Sequence, residues 1–250
     1  MTASLDGQIA LVTGASSGIG EATALALAAA GAGVAVSARR RERLEALVKR
    51  IESEGGTALA LPGDVADEAV AAALVEQVNA RFGRLDILVN SAGIVQAGGI
   101  AGVDTEEYRR VIEVNLLATL YTCRAALEPM KRQGSGDIVN VSSLAARKSG
   151  PGFNAYSASK HALNAMTDGL RQEVGGCGIR VTILMPGATS TEVADGMSDP
   201  VQREAMQAHV GKEGALAPQD VAGTILFLLG LPRRACISEL SIRPTIDTTA

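Results

Sequence analysis

Along most of the chain, short apolar runs alternate with longer Ala- and Leu-rich segments. "IALVTG" precedes a helical pattern over 19–30, "VAVSA" one over 41–54, "ALALPG" one over 67–82 and "LDILVN" one over 105–131. The alternation continues with "GDIVNVSS", a helical stretch over 154–174, "IRVTILMPG", a helix over 218–229 and a last strand at "ELSIR". Strands apolar at consecutive positions are buried on both faces, the situation of a parallel sheet covered by helices. The pattern therefore predicts an α/β fold with a doubly wound parallel sheet of about seven strands and helices on both faces.

Composition supports one large core. The chain has 250 residues, 47% hydrophobic and 20% charged, and α/β folds of this length commonly form one domain, here spanning 1–250. No repeat, charge block or Pro/Ser-rich linker divides it. The net charge of −4, without clustered basic residues and interleaved aromatics, argues against a nucleic-acid partner. The first residues show no basic leader followed by an apolar run, and "TILFLLGL" is too short to span a bilayer, so a cytoplasmic protein without a membrane partner is expected. Cys123, Cys177 and Cys236 lack ligand spacing and suggest neither a disulfide framework nor a metal site. His161 and His209 have no partner spacing and read as structural or solvated. The least regular part, 188–217, sits between a strand and a helix, as substrate lids do.

Candidate chemistry begins at the first strand-to-helix turn. Gly14, Gly18 and Gly20 allow a tight turn, close approach of backbone to phosphate and close helix packing, while the new helix aims its N–H groups at an anion. Ser16, Ser17 and Ile19 lie in the same turn and join this candidate dinucleotide cradle. The spacing is GxxxGxG, and no Gly-Lys-Ser/Thr follows, which excludes a Walker A loop. At the end of the second strand an NAD site places an acid for the ribose hydroxyls, whereas arginine accommodates a 2′-phosphate. Here the acid is missing and Arg39, Arg40 and Arg41 crowd the positive end of a helix dipole, which favours NADP(H), with Arg39 the leading phosphate ligand and Arg40 next.

"TGASSGIG" at 13–20, "NSAG" at 90–93, Asn115 in "EVNLL", Ser143 in "VNVSS", "YSASK" at 156–160 and "PGATST" at 186–191 occur in an order and spacing that resembles the short-chain dehydrogenase/reductase family over essentially the whole chain. The resemblance implies a single Rossmann-fold domain and a catalytic tetrad of Asn115, Ser143, Tyr156 and Lys160. Tyr156 and Lys160, four apart on a helix, share a face. A free phenol has a pKa of about 10; a nearby ammonium and a cationic nicotinamide would favour phenolate. Tyr156 can then be the acid in carbonyl reduction and the base in alcohol oxidation. By family likeness Lys160 also holds the nicotinamide ribose, and Asn115, expected inside an apolar helix, holds a water relaying protons to Lys160. Ser143 stands at a strand end where it could hydrogen-bond the substrate oxygen. Ser142 is adjacent and chemically equal, and only the family spacing prefers Ser143.

The resemblance extends to Asp64 and Val65 in "PGDV" and to Asn90, Ala92 and Gly93 as cofactor positions on the adenine side. Pro186, Gly187, Thr189 and Thr191 align with residues near the nicotinamide carboxamide. "NSAG" replaces the more usual "NNAG". The ending "ISELSIRPTIDTTA" lacks the "VNGG"-like finish of ketoacyl-carrier-protein reductases. Its "IRPT", with "LRQEV" at 170–174, is similar to a subgroup that includes clavulanate dehydrogenase. The implied activity is NADPH-dependent reduction of a carbonyl on a small, polar or specialised metabolite, or the reverse oxidation. Two rivals are reduction of a 3-ketoacyl thioester and a noncatalytic NADP-binding sensor. No metal is implied. A homo-oligomer is expected, a tetramer built through 105–131 and 154–174.

Overall fold

The seven apolar runs form one parallel sheet in the computed structural model, which describes residues 4–150, 152–211 and 214–247, apart from the side chain of His209. The strands are β1 (Ile9–Thr13), β2 (Gly33–Ala38), β3 (Thr57–Pro62), β4 (Ile87–Asn90), β5 (Gly136–Val141), β6 (Ile179–Pro186) and β7 (Glu239–Ile242). Their order is β3-β2-β1-β4-β5-β6-β7, parallel throughout. The chain winds outward through β2 and β3, then returns to place β4 on the other side of β1. That reversal opens a crevice at the carboxyl ends of β1 and β4, where ligands bind in open α/β sheets.

Among the described residues eight α-helices connect or cover the strands: α1 (Gly18–Ala29), α2 (Arg41–Ser53), α3 (Glu68–Phe82), α4 (Thr105–Ile112), α5 (Ala118–Gln133), α6 (Asn154–Val174), α7 (Pro200–Val210) and α8 (Pro218–Leu229). Alternate strand residues feed opposite layers, because successive side chains leave a strand on opposite faces. Ala10 and Val12 pack with Leu27, Leu44 and Ile225 from α1, α2 and α8. Leu11 packs instead with Leu74, Cys123, Met130 and Leu170 from α3, α5 and α6. All residues of β4, β5 and β6 are buried. The edge strands β3 and β7 depart from the expected two-sided burial, since each has one neighbour: β3 is exposed at Thr57 and mostly half-buried thereafter, and β7 alternates exposed with half-buried positions.

Two other differences from the sequence pattern are local. The predicted helix over 105–131 is interrupted by a π-helical turn, Glu113–Leu117, which sets α5 one residue out of register with α4. Such bulges relax the backbone ladder and are frequent at functional sites. The segment 188–217 contains a 3₁₀ turn at Glu192–Ala194 and the helix α7. Its signal was present in the sequence, for Asp199 caps the N–H groups of Val201 and Gln202 and Pro200 opens the helix. Among the described residues no helix is long and apolar enough to cross a membrane.

At the opposite end of the sheet an ionic staple joins β5, β6 and the loop before β7. Arg180 Nε donates to Asp137 at 2.6 Å, and its other nitrogens donate to the carbonyls of Leu229, Leu231 and Ala235. Arg233 reaches the second oxygen of Asp137 at 2.5 Å. Both Arg180 and Asp137 are buried, so removing one member strands the other. Arg180→Met is expected to lower unfolding free energy by about 3–5 kcal/mol, as read from urea denaturation; a loss below about 1 kcal/mol would show that the staple is dispensable.

Candidate active site

The crevice is floored by backbone packed on backbone. Gly14, at φ 67°, occupies the left-handed region, and a Cβ there would stand 2.7 Å from the Ala92 backbone. A Cβ on Gly20 would stand 2.4 Å from the Gly14 carbonyl oxygen. The glycines thus let α1 start against the turn and let the 90–93 loop lie across it. Thr13 Oγ1 accepts from the Ser91 and Ala92 N–H groups at 3.2 and 3.4 Å, closing the same contact.

α1 begins without a side-chain cap. α3, α4 and α7 each have an aspartate bonded to their first N–H groups, whereas Ser17, at the N-cap of α1, turns its hydroxyl to Arg40 Nη2 at 2.8 Å. The leading N–H groups of α1 are therefore left to an anion from outside. Arg40 also donates to Ser16 Oγ from Nε and Nη2, at 3.1 and 2.9 Å. Arg40, second in the sequence ranking, is the arginine bound to the turn. Arg39 is exposed and acts on Asp64 only through its charge. Arg43, one helical turn after Arg40, was not singled out from the sequence, and it reaches the same corner through Glu192. Ile19 packs into the first core layer.

On the far side of the turn, burial pushes the Asp64 carboxyl up, but the Ala66 N–H and the Arg110 guanidinium outweigh it and hold it below its usual range. Arg110 Nη2 lies 2.5 Å from Asp64 Oδ2, a partner 46 residues away that no local pattern announced. Val65 is buried beside it. Asn90 differs from its expected role in one respect: its side chain faces the core. Its amide donates to Asn140 Oδ1 at 2.9 Å and its carbonyl accepts from Thr122 at 2.7 Å. Asn140 then donates to Thr167 at 2.9 Å. This network ties β4, β5, α5 and α6 together under the site, leaving only the backbone of Asn90 for a ligand. Cys123 abuts it, and burial pushes its thiol up to about 12.

Tyr156 and Lys160 lie on α6 with the Lys160 ammonium 5.8 Å from the centre of the phenol ring. Lys160 is buried and donates from Nζ to the Val141 carbonyl at 3.0 Å. Burial pulls its pKa down to about 8. Burial likewise raises the Tyr156 pKa, opposed by a hydrogen bond with Ser143. In this structure desolvation therefore outweighs the phenolate stabilisation that the Ser143 hydrogen bond supplies. The choice between the adjacent serines is also decided: Ser143 meets Tyr156, whereas Ser142 Oγ is buried without a hydrogen-bond partner.

Asn115 sits in the π-helical turn, not in regular helix as expected, and is fully buried. It accepts from the Ile94 N–H at 2.8 Å and donates to Ile94 O and Ser159 Oγ at 3.0 Å each. A Cβ on Gly93 would stand 3.4 Å from Asn115 Oδ1 and 3.7 Å from Lys160 Nζ, so the absent side chain keeps space beside both polar atoms. Pro186 closes β6; Gly187 donates to Ile242 O at 2.8 Å, and Thr189 Oγ1 donates back to Gly187 O at 3.0 Å. Thr191 rests its methyl 3.0 Å from where a Gly18 Cβ would be. His161 points to its own helix, with Nδ1 2.8 Å from Ser157 O; the His209 side chain lies outside the described residues.

The segment after Thr191 closes over Tyr156. Val95, Ala194 and Met197 form a small apolar cluster with Ala97, Phe153, Val193, Met206 and the Tyr156 ring. Gln96 pins it, donating to Gly196 O at 3.2 Å and accepting from Ser198 N at 3.3 Å. Backbone bonds Ser190 N to Leu216 O and Leu216 N to Ala188 O fasten its two ends together.

A doubly wound sheet with an uncapped glycine turn and a Tyr/Lys pair at its carboxyl edge defines an oxidoreductase site. The family profile of short chain dehydrogenases matches residues 8–202, and the chain belongs to that family. It is 35% identical over 240 residues to an uncharacterized oxidoreductase of Staphylococcus saprophyticus, covering 95% of this chain and 96% of that protein. Among solved structures it resembles a short chain dehydrogenase from Burkholderia cenocepacia in complex with NADP (TM-score 0.84, 36% identity, 96% of this chain and 98% of that one). It also resembles an alcohol dehydrogenase from Thermococcus sibiricus complexed with 5-hydroxy-NADP (TM-score 0.86, 29% identity, 97% and 99%).

The buried ammonium generates a stability prediction. Below about pH 8 the folded and unfolded states both carry the Lys160 charge, so its burial destabilises the fold in full; toward 10.5 the folded state has released the proton and the penalty fades. Lys160→Met, which also gives up the bond to Val141 O, is expected to stabilise the protein by about 1–2 kcal/mol at pH 7. The gain should shrink as pH approaches 10.5, measured by urea denaturation across that range.

Proposed function

We propose that this protein is an NADPH-dependent reductase of a ketone or aldehyde, running in reverse on the corresponding alcohol. The observation that carries the reading is the convergence of Ser143, Tyr156 and Lys160, with Asn115 behind them, at the carboxyl ends of the strands beside an uncapped helix start. Bound NADPH supplies the hydride. The open N–H groups of α1 would hold its pyrophosphate, and Arg40, with Ser16 and Ser17, its 2′-phosphate. The NADP complexes of the Burkholderia and Thermococcus relatives support this choice of cofactor.

The proton chemistry follows from burial. A phenol raised above its ordinary value stays protonated at neutral pH, so Tyr156 is poised to donate to the carbonyl oxygen. Ser143 donates a second hydrogen bond to that oxygen as negative charge develops. Lys160 has N–H donors beyond the one given to Val141, and these would meet the ribose hydroxyls. Asn115 keeps Ile94 and Ser159 in place around it.

We further propose that 188–217 is a substrate lid. The Val, Met and Phe side chains around Tyr156 favour a carbonyl carrying an apolar substituent, which moves the substrate away from the small polar metabolite suggested by the chain's ending. That ending packs at the site, where Pro244 lies 3.0 Å from a Cβ built on Gly187. We propose the clavulanate-dehydrogenase-like subgroup on the likeness of "IRPT" and "LRQEV" alone. A homo-oligomer, with exposed Leu120 of α5 contributing to its interface, is tested by light scattering.

A panel of carbonyls followed by NADPH absorbance tests the reading. Tyr156→Phe is expected to lower kcat by at least about a hundredfold while leaving NADPH binding intact, and near-normal turnover by this variant would sink the proposal. Because Tyr156 must be ionised to act as a base, alcohol oxidation should accelerate as pH rises above neutral and carbonyl reduction should slow. A ketoacyl thioester outpacing simple ketones would identify the thioester reductase instead.

A further inference from the structure

The basic corner that receives Arg40 already holds an anion from the chain itself. Glu192 lies in the 3₁₀ turn that opens the proposed lid. Its Oε2 is 3.0 Å from Arg40 Nη1 and 2.6 Å from Arg43 Nη1, and Oε1 is 2.8 Å from Arg43 Nη1. The Ser16 and Ser17 hydroxyls take Arg40 Nε and Nη2, so the carboxylate occupies the guanidinium edge that remains. The contact joins residues 152 and 149 positions apart in the sequence. On one side of it Thr191 rests on Gly18; on the other, Ala194 is fully buried in the apolar cluster against Tyr156.

We propose that Glu192 is a cofactor-selectivity residue: its carboxylate occupies the arginine donors that a 2′-phosphate needs and yields them when NADP(H) binds. The inference rests on the reading of Arg40 as a 2′-phosphate ligand. A phosphate monoester carries nearly twice the charge of a carboxylate and three acceptor oxygens, so it wins the shared guanidinium groups by charge and by bidentate bonding. The two anions do not share them, because at contact distance they repel each other by more than one exposed ion pair returns. A cofactor without the 2′-phosphate brings no competitor and leaves Glu192 on Arg40 and Arg43. Part of the intrinsic affinity for the phosphate is thereby spent on displacing the chain's own acid.

The test is calorimetric titration of Glu192→Gln and Arg40→Ala with NADPH and with NADH, without substrate. Glu192→Gln keeps the shape of the side chain and removes its charge. It is expected to tighten NADPH by about three- to tenfold, the range two exposed ion pairs allow, and to change NADH by less than about twofold. An unchanged ratio of the two dissociation constants, or weaker NADPH binding, would overturn the proposal, the latter marking Glu192 as a strut that holds the arginines in place. Arg40→Ala separates this result from the reading beneath it. If Arg40→Ala weakens NADPH selectively while Glu192→Gln leaves the ratio alone, the phosphate site stands and the role of Glu192 falls. If Arg40→Ala affects both cofactors equally, the phosphate site fails and Glu192 with it.

Discussion

A buried ammonium with a single carbonyl partner organises the centre of this protein. Lys160 has been taken out of water and bonded to Val141 O, with no carboxylate paired to it among the described residues, an arrangement that lowers stability on its own account. Its neighbours are explicable from that constraint. Gly93 has no side chain to fill the space beside it, Asn115 presents an amide oxygen there from a π-helical turn, and the Tyr156 ring lies within cation–π reach. The charge persists because the surrounding sheet and helices are fixed by other contacts, the usual way strain or desolvation is stored at a functional site.

Besides the two apolar layers, those contacts include a buried polar chain. The Asn90, Asn140, Thr122 and Thr167 chain joins two central strands to two helices directly below the site through hydrogen bonds of 2.9, 2.7 and 2.9 Å. Above it, the close backbone contact between the glycine turn and the 90–93 loop brings α1 to the crevice with its first N–H groups open. The site is thus assembled from a rigid floor and a covering segment pinned at its ends and by Gln96.

Much of this was legible in the chain. The two-sided strands β4, β5 and β6, the glycine turn and the Tyr/Lys spacing on α6 depend on local periodicity and on residue types with few alternative uses. What escaped has a common physical character. The π-helical turn at 113–117 is one extra residue per turn in an otherwise helical pattern, too small a phase shift to see. The priority of Arg40 over Arg39, and the entry of Arg43, Arg110 and Glu192, depend on where exposed side chains converge from distant segments. The edge exposure of β3 and β7 follows from sheet order, which composition does not encode.

The fold class, the family and the Tyr156–Lys160 spacing on α6 were readable in the chain alone, because they follow from short-range patterns in which neighbouring residues constrain one another. Which serine meets Tyr156, which arginine grips the glycine turn and what already occupies that arginine came from the packed fold. Those choices are made by distances between segments as much as 152 residues apart. They follow from packing the whole sheet, whose depth also decides how far burial shifts the phenol and the ammonium from their values in water.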